Sequence, residues 1–334
     1  MNRRCMSVCF ALLVLYPLHL SGVVTADPSA DDTKTFYEDG LSLTKPFQQE
    51  FAWDISGSTM ITDKYIRLTP DQKSQQGSIW SKHTMRQPYW EAIVTFRVHG
   101  KGKTLFGDGF ALWYTQERMM QGPVFGCKNG FKGLGMFFDT YSNHQGEHNH
   151  AHPFVSGMVS NGSLLYDHDS DGTHTQLDGC HMPFRNPDGD TAVRIRYFKD
   201  TITVHTDLDN SGQWKLCFES EGVILPVHYY FGMSAVTGDL SDNHDITSFK
   251  VFSIPYEMSF KPEMAMLRSI PRAMKFDTPR KRVDSKDSLL SSTFRSPIKT
   301  FLVSVVVIVG AVFAIAVAYL FYKDREEKKM KRFY

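Results

Sequence analysis

Oxygen-bearing side chains are concentrated between Gly135 and Asp171, in a stretch that begins GLGMFFDTYSN and ends SLLYDHDSDG. Asp139 and Asn143 stand at the end of an apolar strand with Tyr141 between them, and Asp171 follows in a second polar loop. Calcium in proteins is bound by about six to eight oxygens from carboxylates, carboxamides, backbone carbonyls and water. The three side chains and the carbonyl of Tyr141 are therefore a candidate calcium-binding set.

The spacing of these residues leaves a second interpretation open. An EF-hand loop needs ligands at every second position, a central Gly and a closing Glu, and this stretch does not have that order. Loops rich in Asp and Asn are also common as ordinary turns. An acidic turn without a metal is therefore the alternative. His168, three residues before Asp171, adds a side chain that changes its charge near neutral pH.

A histidine-rich segment follows the first half of this set. His144, His148, His150 and His152 lie in the sequence SNHQGEHNHAHPF. Histidines two residues apart can share one face of a strand and bind zinc or copper. A solvated polar loop is the alternative that the composition favours.

Two glycine-containing loops could present polar groups to a ligand. Asp108 stands between Gly107 and Gly109 just before an apolar strand, and glycines permit the backbone angles that aim a carboxylate outward from a strand end. A glycine pair at a hairpin is the plainer interpretation. The loop 237–240, with the sequence TGDL, can turn backbone N–H groups toward a ligand.

The composition indicates the class of fold that must position these residues. The 334 residues carry a net charge of +1, with 22% charged and 13% aromatic residues, which argues against nucleic acid as a partner. Short segments that alternate apolar and polar residues, such as FAWDISGS, YIRLTPDQ and YWEAIVTFRV, are separated by turn signals. This pattern predicts an all-β sandwich or jelly roll.

Both ends of the chain predict a membrane protein. Residues 1–26 have the basic start, apolar centre and small-residue cleavage site of a signal peptide. Residues 300–322 are uncharged and long enough for a single transmembrane helix. The expected arrangement is a lumenal domain over residues 27–257, a stalk over 258–299 and a cytosolic tail over 323–334, which defines a type I single-pass protein.

The cysteines agree with an oxidising compartment. Cys5 and Cys9 leave with the signal peptide, and Cys127, Cys180 and Cys217 remain. One disulfide and one thiol are expected in the lumen. The second and third of these cysteines flank a predicted pair of strands, so we expect them to be joined. A zinc site is the alternative, although no CxxC spacing occurs.

Four motifs resemble one known family. The segments GDGFALWYT, GLGMFFDTYSN, NGSLLYDHDSDG and YYFGMSAVTGDLSDNHDI are similar to those of the L-type (legume-lectin-like) cargo lectins of the early secretory pathway. The short-stalked branch, that of the vesicular integral membrane proteins, looks nearest, since this chain also ends KRFY. The resemblance covers residues 45–256, the span and the tail. It implies a legume-lectin-like sandwich of two curved antiparallel sheets that binds mannose.

The resemblance also implies roles for individual residues. The implied calcium ligands are Asp139, Tyr141 through its carbonyl, Asn143 and Asp171. The implied carbohydrate contacts are Ser74, Asp108, Asn143, His168, Gly238, Asp239 and Leu240. The implied disulfide joins Cys180 and Cys217. Ser142 is a departure, because the family often has Pro after the residue that donates the carbonyl.

The function that follows from the resemblance is calcium-dependent binding of high-mannose N-glycans on secretory glycoproteins. Such a protein acts as a cargo or quality-control receptor between the endoplasmic reticulum and the Golgi. Because His168 adjoins both the metal loop and the sugar contacts, its protonation at about pH 6 is expected to weaken binding.

Two other classes are weaker interpretations. A glycoside hydrolase needs two carboxyl groups about 5–9.5 Å apart, and between residues 92 and 218 only Glu117 and Glu147 are glutamates. Asp108 and Asp139 could pair, but Asp139 is committed to the metal in the resemblance, so we expect no enzyme. A scaffold or adhesion domain without a sugar ligand would not explain polar groups on three separate loops.

Two short sequences predict modification and sorting. Asn161 begins the chain's single N-glycosylation acceptor, Asn-Gly-Ser. At the C-terminus, Phe333 and Tyr334 resemble an export signal for vesicle coats, and Lys331 and Arg332 resemble a basic retrieval signal. Basic residues beside a membrane can also simply anchor the span at an anionic leaflet.

Overall fold

The computed structural model describes residues 35–143, 151–255 and 268–277, together with residues 316, 317, 319 and 323. The predicted signal peptide, most of the predicted span, the three histidines between 144 and 150 and the sorting residues Lys331, Arg332, Phe333 and Tyr334 lie outside the described residues. None of the helices in the described part has both the length and the apolarity needed to cross a bilayer.

Two antiparallel sheets pack face to face in the described residues, as the alternating segments predict. The broad sheet contains β1 (Phe36–Tyr37), β3 (Met60–Ile61), β4 (Ile66–Thr69), β6 (Tyr89–His99), β12 (Thr191–Phe198), β13 (Thr201–Asp207), β14 (Lys215–Glu221) and β17 (Asn243–Ile254). Its strand order is β14-β13-β12-β6-β17-β4-β3, with β1 also paired to β17.

The second sheet, here called the site sheet, carries the candidate functional residues at one end. It contains β2 (Trp53–Gly57), β5 (Gln76–Thr84), β7 (Gly109–Thr115), β9 (Lys132–Asp139), β10 (Phe154–Asn161), β11 (Asp178–His181) and β16 (Tyr230–Val236). The strand order is β11-β10-β9-β7-β16-β5-β2.

The remaining described elements are short. They are β8 (Gln121–Val124), the pair β15 (Val223–Ile224) and β18 (Arg272–Ala273), the 3-10 helices Asp39–Leu41, Gln48–Ala52 and His168–Ser170, and the helix α1 (Met274–Asp277). Helix is therefore a minor part of the described chain, which confirms the all-β prediction.

The alternation in sequence explains the main core. In β6, Trp90, Val94 and Phe96 are fully buried, whereas Glu91 and Arg97 lie on the opposite, more exposed face. Successive side chains of a strand point to opposite faces of its sheet. The apolar set of the broad sheet therefore meets that of the site sheet, and burial of this apolar surface provides the main favourable free energy of folding.

The site sheet differs because both of its faces are covered. In β7, Phe110 and Leu112 contribute to the main core, while Trp113 belongs to a second apolar cluster with Phe125 and Tyr166. All residues of β7 are accordingly buried. Loops over the second face of the site sheet are thus anchored by their own aromatic side chains.

Antiparallel pairing brings three strand ends together. Gly109 at the start of β7 lies opposite both Asp139 at the end of β9 and Val236 at the end of β16. The residue before β7 and the loops after β9 and β16 must therefore meet at one edge of the site sheet. These are the loops that the sequence singles out.

A disulfide links the two sheets. Cys180 in β11 of the site sheet is bonded to Cys217 in β14 of the broad sheet, as the sequence predicts. Cys127 is a free thiol in the second apolar cluster, where burial raises the pKa of the thiol to about 12.

Residues 268–277 pack against the sandwich, although the sequence assigns them to a stalk that begins at residue 258. The guanidinium of Arg268 makes two hydrogen bonds to the carboxylate of Asp200, at 2.8 and 2.7 Å. Ala273 is buried, and the ammonium of Lys275 donates to the carbonyl of Leu177 at 2.6 Å. The first compact unit of the chain therefore continues to Asp277.

Removing the disulfide should destabilise the sandwich without unfolding it at room temperature. The bond closes a loop with a sequence separation of 37, and such a crosslink typically contributes about 2–4 kcal/mol. We expect the double variant Cys180→Ala/Cys217→Ala to lose this much free energy of unfolding in urea denaturation followed by tryptophan fluorescence. Reductant should lower the stability of the wild type by a similar amount and leave the double variant unchanged. Wild-type stability that is insensitive to complete reduction would contradict the prediction.

Candidate functional site

Asp108 is fixed where the three loops meet. The N–H of Thr140 donates to the carbonyl of Asp108 at 3.1 Å, and the N–H of Gly238 donates to its carboxylate. The Gly107–Asp108 peptide bond is cis. A Cβ at Gly107 would lie 3.2 Å from the Cβ of Tyr141, so the segment before β7 and the loop after β9 approach each other closely there. The structure thus holds the Asp108 carboxylate against both neighbouring loops.

The loop after β9 is organised by two carboxylates. Oδ1 of Asp139 accepts a hydrogen bond from the N–H of Tyr141 at 2.9 Å. The N–H of Asn143 donates to Oδ1 and Oδ2 of Asp171, at 3.0 and 3.2 Å. Asp171 follows the 3-10 helix at His168 in a left-handed conformation, with a φ of 47°. Residues 28 positions apart in sequence, Asn143 and Asp171, are therefore in direct contact.

The two carboxylates form a candidate metal centre. Asp139 and Asp171 are buried, and Nε2 of His152 lies 3.8 Å and 3.7 Å from their respective Oδ2 atoms. Ligand-capable atoms of these three residues lie within 4.8 Å of one another. Burial raises the pKa of Asp139 to about 6, although His152 and the Tyr141 N–H act in the opposite direction. Two acids buried together favour a bound cation, because a positive charge offsets their repulsion and desolvation.

The oxygen donors of this centre fit calcium. Carboxylate oxygens come from Asp139 and Asp171, and Asn143 is held beside them by its backbone. Calcium accepts this type of donor and can complete its shell with carbonyls and water. The structure brings all of the sequence-predicted ligand residues into one loop cluster.

A cavity of about 270 Å³ adjoins the carboxylates. It is lined by Asp108, Pro123, Phe125, Asp139, Asn143, His168 and Val236. The imidazole of His168 packs edge-on against Tyr166, with 4.9 Å between ring centroids, and hydrogen-bonds the carbonyl of Pro123. Its Nε2 is buried and makes no hydrogen bond. A ligand with hydroxyl groups can form hydrogen bonds both to this nitrogen and to the carboxylate of Asp108, which lines the same cavity.

Burial changes the protonation of both polar groups in the cavity. Burial raises the pKa of Asp108 to about 6, despite the hydrogen bond from the Gly238 N–H. Burial lowers the pKa of His168 below its ordinary value of 6.5. At pH 7 the site therefore presents a carboxylate and a neutral imidazole.

The loop 237–240 contributes backbone more than side chains. The N–H of Ser74 donates to the carbonyl of Gly238 at 3.1 Å, which places the predicted peripheral contact beside this loop. The side chain of Asp239 is 99% exposed, so its carboxylate points into solvent. Leu240 flanks Gly107, whose Cβ would lie 3.7 Å from the Leu240 Cβ.

His152 is the member of the centre that the calcium prediction omits. The sequence places it only in a histidine-rich segment with zinc or copper as one interpretation. Its distance of 19 residues from Asp171 gives no spacing signal. The contact depends on the pairing of β10 with β9, which sets Phe154 opposite Asp139 and brings His152 beside it. The histidine content of the segment was the one available indication.

An antiparallel sandwich with a polar cavity beside buried carboxylates is an arrangement that can bind a ligand rich in hydroxyl groups, such as a sugar. The chain belongs to the legume-like lectin family, whose family model matches residues 34–259. It is 43% identical to the vesicular integral-membrane protein VIP36 of Homo sapiens, over 96% of this chain and 91% of that protein. The VIP36-like protein of Homo sapiens is 39% identical, over 99% of this chain and 96% of its own length.

Solved structures agree with this membership. The crystal structure of the VIP36 exoplasmic/lumenal domain in its Ca2+/Man3GlcNAc-bound form superposes with a TM-score of 0.67 and 46% sequence identity. It covers 72% of this chain and 99% of the crystallised chain. The family resemblance and the legume-lectin-like fold are therefore confirmed. Membership of a lectin family also supports a binding protein over the hydrolase alternative.

Asp108→Asn should stabilise the metal-free protein at neutral pH. The folded-state pKa of about 6 exceeds the ordinary 3.8, so ionisation of Asp108 costs stability that accumulates as pH rises through this range. Asn is isosteric and keeps an oxygen for the Gly238 N–H. We expect the free energy of unfolding to rise by about 1–3 kcal/mol at pH 7.5, with the difference shrinking several-fold by pH 4.

Asp71→Asn is a matched control, for which the opposite change in the free energy of unfolding is expected. Burial alone would raise the pKa of Asp71, but hydrogen bonds from the Lys101 N–H and the Ser241 hydroxyl contribute to an overall lowering. This variant should destabilise the protein at pH 7.5, and the loss should fade as pH falls below about 4. Urea denaturation at pH 7.5 and pH 4 measures the Asp108 effect, and a third series at about pH 3 measures the fading of the Asp71 effect. An Asp108→Asn variant that is less stable than wild type at pH 7.5 would contradict the assignment.

Proposed function

We propose that this chain is a calcium-dependent lectin that binds high-mannose N-glycans of secretory glycoproteins. The observation that carries this proposal is the convergence of Asp108, Asn143 and His168 on one cavity beside the buried Asp139–Asp171 pair. Its support from known proteins is the similarity to a VIP36 domain whose solved form contains Ca2+ and Man3GlcNAc.

The proposed calcium ligands are the side chains of Asp139, Asn143 and Asp171 and the carbonyl of Tyr141. When bound, calcium supplies positive charge that offsets the two buried carboxylates. The chain itself fixes the conformation of the loop, because the N–H of Tyr141 donates to Asp139 and the N–H of Asn143 donates to Asp171. Because the same loop carries Asn143 into the cavity, its order determines whether the carboxamide is positioned for sugar.

The proposed sugar contacts match what hydroxyl groups require. Each hydroxyl donates and accepts, so the site needs an acceptor such as the Asp108 carboxylate and a two-sided group such as the Asn143 carboxamide. His168 offers its buried Nε2, and Gly238, Asp239 and Leu240 offer backbone groups. Ser74 is a peripheral contact beside that loop.

Affinity for one mannose should be weak. A neutral hydrogen bond contributes only about 1 kcal/mol net, since it replaces a bond to water. The cavity of about 270 Å³ has room for little more than a monosaccharide. Higher overall affinity then requires several mannose residues on one glycan or multivalent cargo.

The pH response of the proposed site involves two groups. The sequence places the switch on His168 at about pH 6, but burial lowers the pKa of this imidazole, so it becomes charged only at lower pH. Asp108, with a pKa of about 6, loses its charge as pH falls through this range and then accepts hydrogen bonds less well. Cargo held in a neutral compartment would be released in a more acidic or calcium-poor one.

Location and partners extend the proposal. We place the protein in membranes of the early secretory pathway, as a cargo or quality-control receptor between the endoplasmic reticulum and the Golgi, with the lectin domain lumenal. The similarity to a vesicular integral-membrane protein supports this placement. Vesicle coat components are the proposed partners of the tail residues Lys331, Arg332, Phe333 and Tyr334.

The acceptor Asn161 is placed where a glycan could be attached. It is the exposed last residue of β10, and its carboxamide oxygen accepts hydrogen bonds from the N–H and hydroxyl of Ser163. We propose that this side chain carries an N-linked glycan in the lumen.

Binding of the full-length chain in detergent to a high-mannose glycan array tests the proposed function. Wild type should bind with calcium and lose binding in excess chelator. Asn143→Ala and Asp139→Asn should each weaken binding by at least about tenfold, because the first removes a sugar contact that is also a calcium ligand and the second removes a calcium ligand. Asp188→Asn, at an exposed acid outside the cavity, is the control and should bind as wild type does. A folded protein that binds no glycan in either condition, or binds equally in chelator, would refute the proposal.

A further inference from the structure

One histidine is packed into the acidic centre. The side chain of His152 is 7% exposed, and those of Asp139 and Asp171 are 9% and 1% exposed. Its Nε2 lies 3.8 Å and 3.7 Å from the nearest carboxylate oxygens of the two acids. The three groups thus form a triangle that is almost closed to solvent.

The spacing of the triangle exceeds that of direct hydrogen bonds. N–H···O bonds have donor–acceptor distances of about 2.7–3.2 Å, shorter than either His152 distance. Atoms that bind one tetrahedral ion at about 2.1 Å lie about 3.4 Å from one another. The two His152 distances exceed this value by a few tenths of an ångström, and all three ligand atoms lie within 4.8 Å of one another.

Backbone N–H groups already hold both carboxylates in place. The N–H of Tyr141 binds Oδ1 of Asp139, and the oxygen nearest His152 is Oδ2. The N–H of Asn143 binds the carboxylate of Asp171. Fixed outer hydrogen bonds of this kind orient metal ligands and tune their basicity.

An imidazole changes which cation the centre prefers. Calcium is a hard cation that takes oxygen ligands, whereas imidazole suits zinc, copper, iron and nickel. Zinc accepts both imidazole nitrogen and carboxylate oxygen as ligands, and sites with three protein ligands take water in the fourth position. The two carboxylate charges also balance the charge of a divalent ion.

We propose that Asp139, His152 and Asp171 form a zinc-binding centre that overlaps the calcium site, so that Zn2+ competes with Ca2+. The proposal rests on the proposed function only for the competition, because zinc binding itself can be measured without glycan. Zinc uses His152 where calcium uses Asn143 and the Tyr141 carbonyl. Bound zinc therefore leaves the sugar-contacting carboxamide unsupported and lowers calcium-dependent glycan binding.

The test uses the full-length chain in detergent, stripped of metal by a chelator that is then removed. Three other histidines of the segment, His144, His148 and His150, are replaced by Asn in a background variant, so that the signal reports His152. Zn2+ affinity is measured by competition with a chromophoric chelator. Substitution with Co2+ gives visible absorption bands that report the ligands directly.

The background variant should bind one Zn2+ per chain. Adding His152→Asn should weaken zinc binding by at least about tenfold and remove or shift the Co2+ bands, because a ligand is lost. His228→Asn, at an exposed histidine away from this centre, should leave both unchanged. His152→Gln serves as a second variant if the first does not fold, as judged by near-ultraviolet circular dichroism.

X-ray absorption of the zinc-loaded background variant gives a result that needs no His152 substitution. Scattering from one imidazole and oxygen neighbours is expected, and a spectrum without imidazole would overturn the proposal. Equal zinc affinity with and without His152 would also overturn it, leaving this histidine as an ion-pair partner of the acids. If zinc binding does not depend on His152 but glycan binding still depends on calcium, only the zinc centre is rejected. If zinc binding depends on His152 but no calcium-dependent glycan binding is found, only the proposed function is rejected.

Discussion

The burial of Asp139 and Asp171 against each other is the constraint on which the rest of the site depends. Two carboxylates removed from water repel each other and lose hydration, and backbone N–H donors offset only part of that cost. The raised pKa of Asp139 shows the remaining imbalance. A bound cation offsets this cost and leaves both acids ionised. The order of the loop that carries Asn143 is thereby tied to metal binding.

The sandwich makes this arrangement possible because both faces of the site sheet are covered. The main core fixes β7, β9 and β16, whose paired ends deliver the three loops to one edge. The second cluster, with Phe125 and Tyr166, holds the ring of His168 at the cavity. The polar groups at this edge therefore stand on packed side chains. Sugar binding at such a site costs little conformational entropy, provided that the metal has already ordered the loop that carries Asn143.

Much of the fold followed from the sequence, and less of the site did. Alternating segments such as YWEAIVTFRV predicted strands that the structure contains, since a two-residue period records which face is buried. The spacing of Asp139 and Asn143 alone could not distinguish a calcium loop from an acidic turn. The family resemblance supplied that distinction. Cys180 and Cys217 were paired from their flanking strands, and the structure joins them.

The features that escaped prediction depend on distances through space. His152 reaches the acids because β10 pairs with β9, which sets Phe154 opposite Asp139. Residues 268–277 pack on the sandwich through the ion pair of Arg268 with Asp200. Burial lowers the pKa of His168 and raises that of Asp108, so both groups titrate away from their ordinary pKa values. No periodicity in the sequence records such contacts or the loss of solvent around a group.

Coupling between calcium and sugar is the central claim, and calorimetry tests it most directly. Calcium is titrated into the metal-free chain with and without saturating mannose. If the metal orders the loop that carries the sugar-contacting carboxamide, mannose must tighten calcium binding by the same factor by which calcium tightens mannose binding. A calcium affinity that does not change with mannose, for a protein that binds mannose equally without metal, would contradict the account.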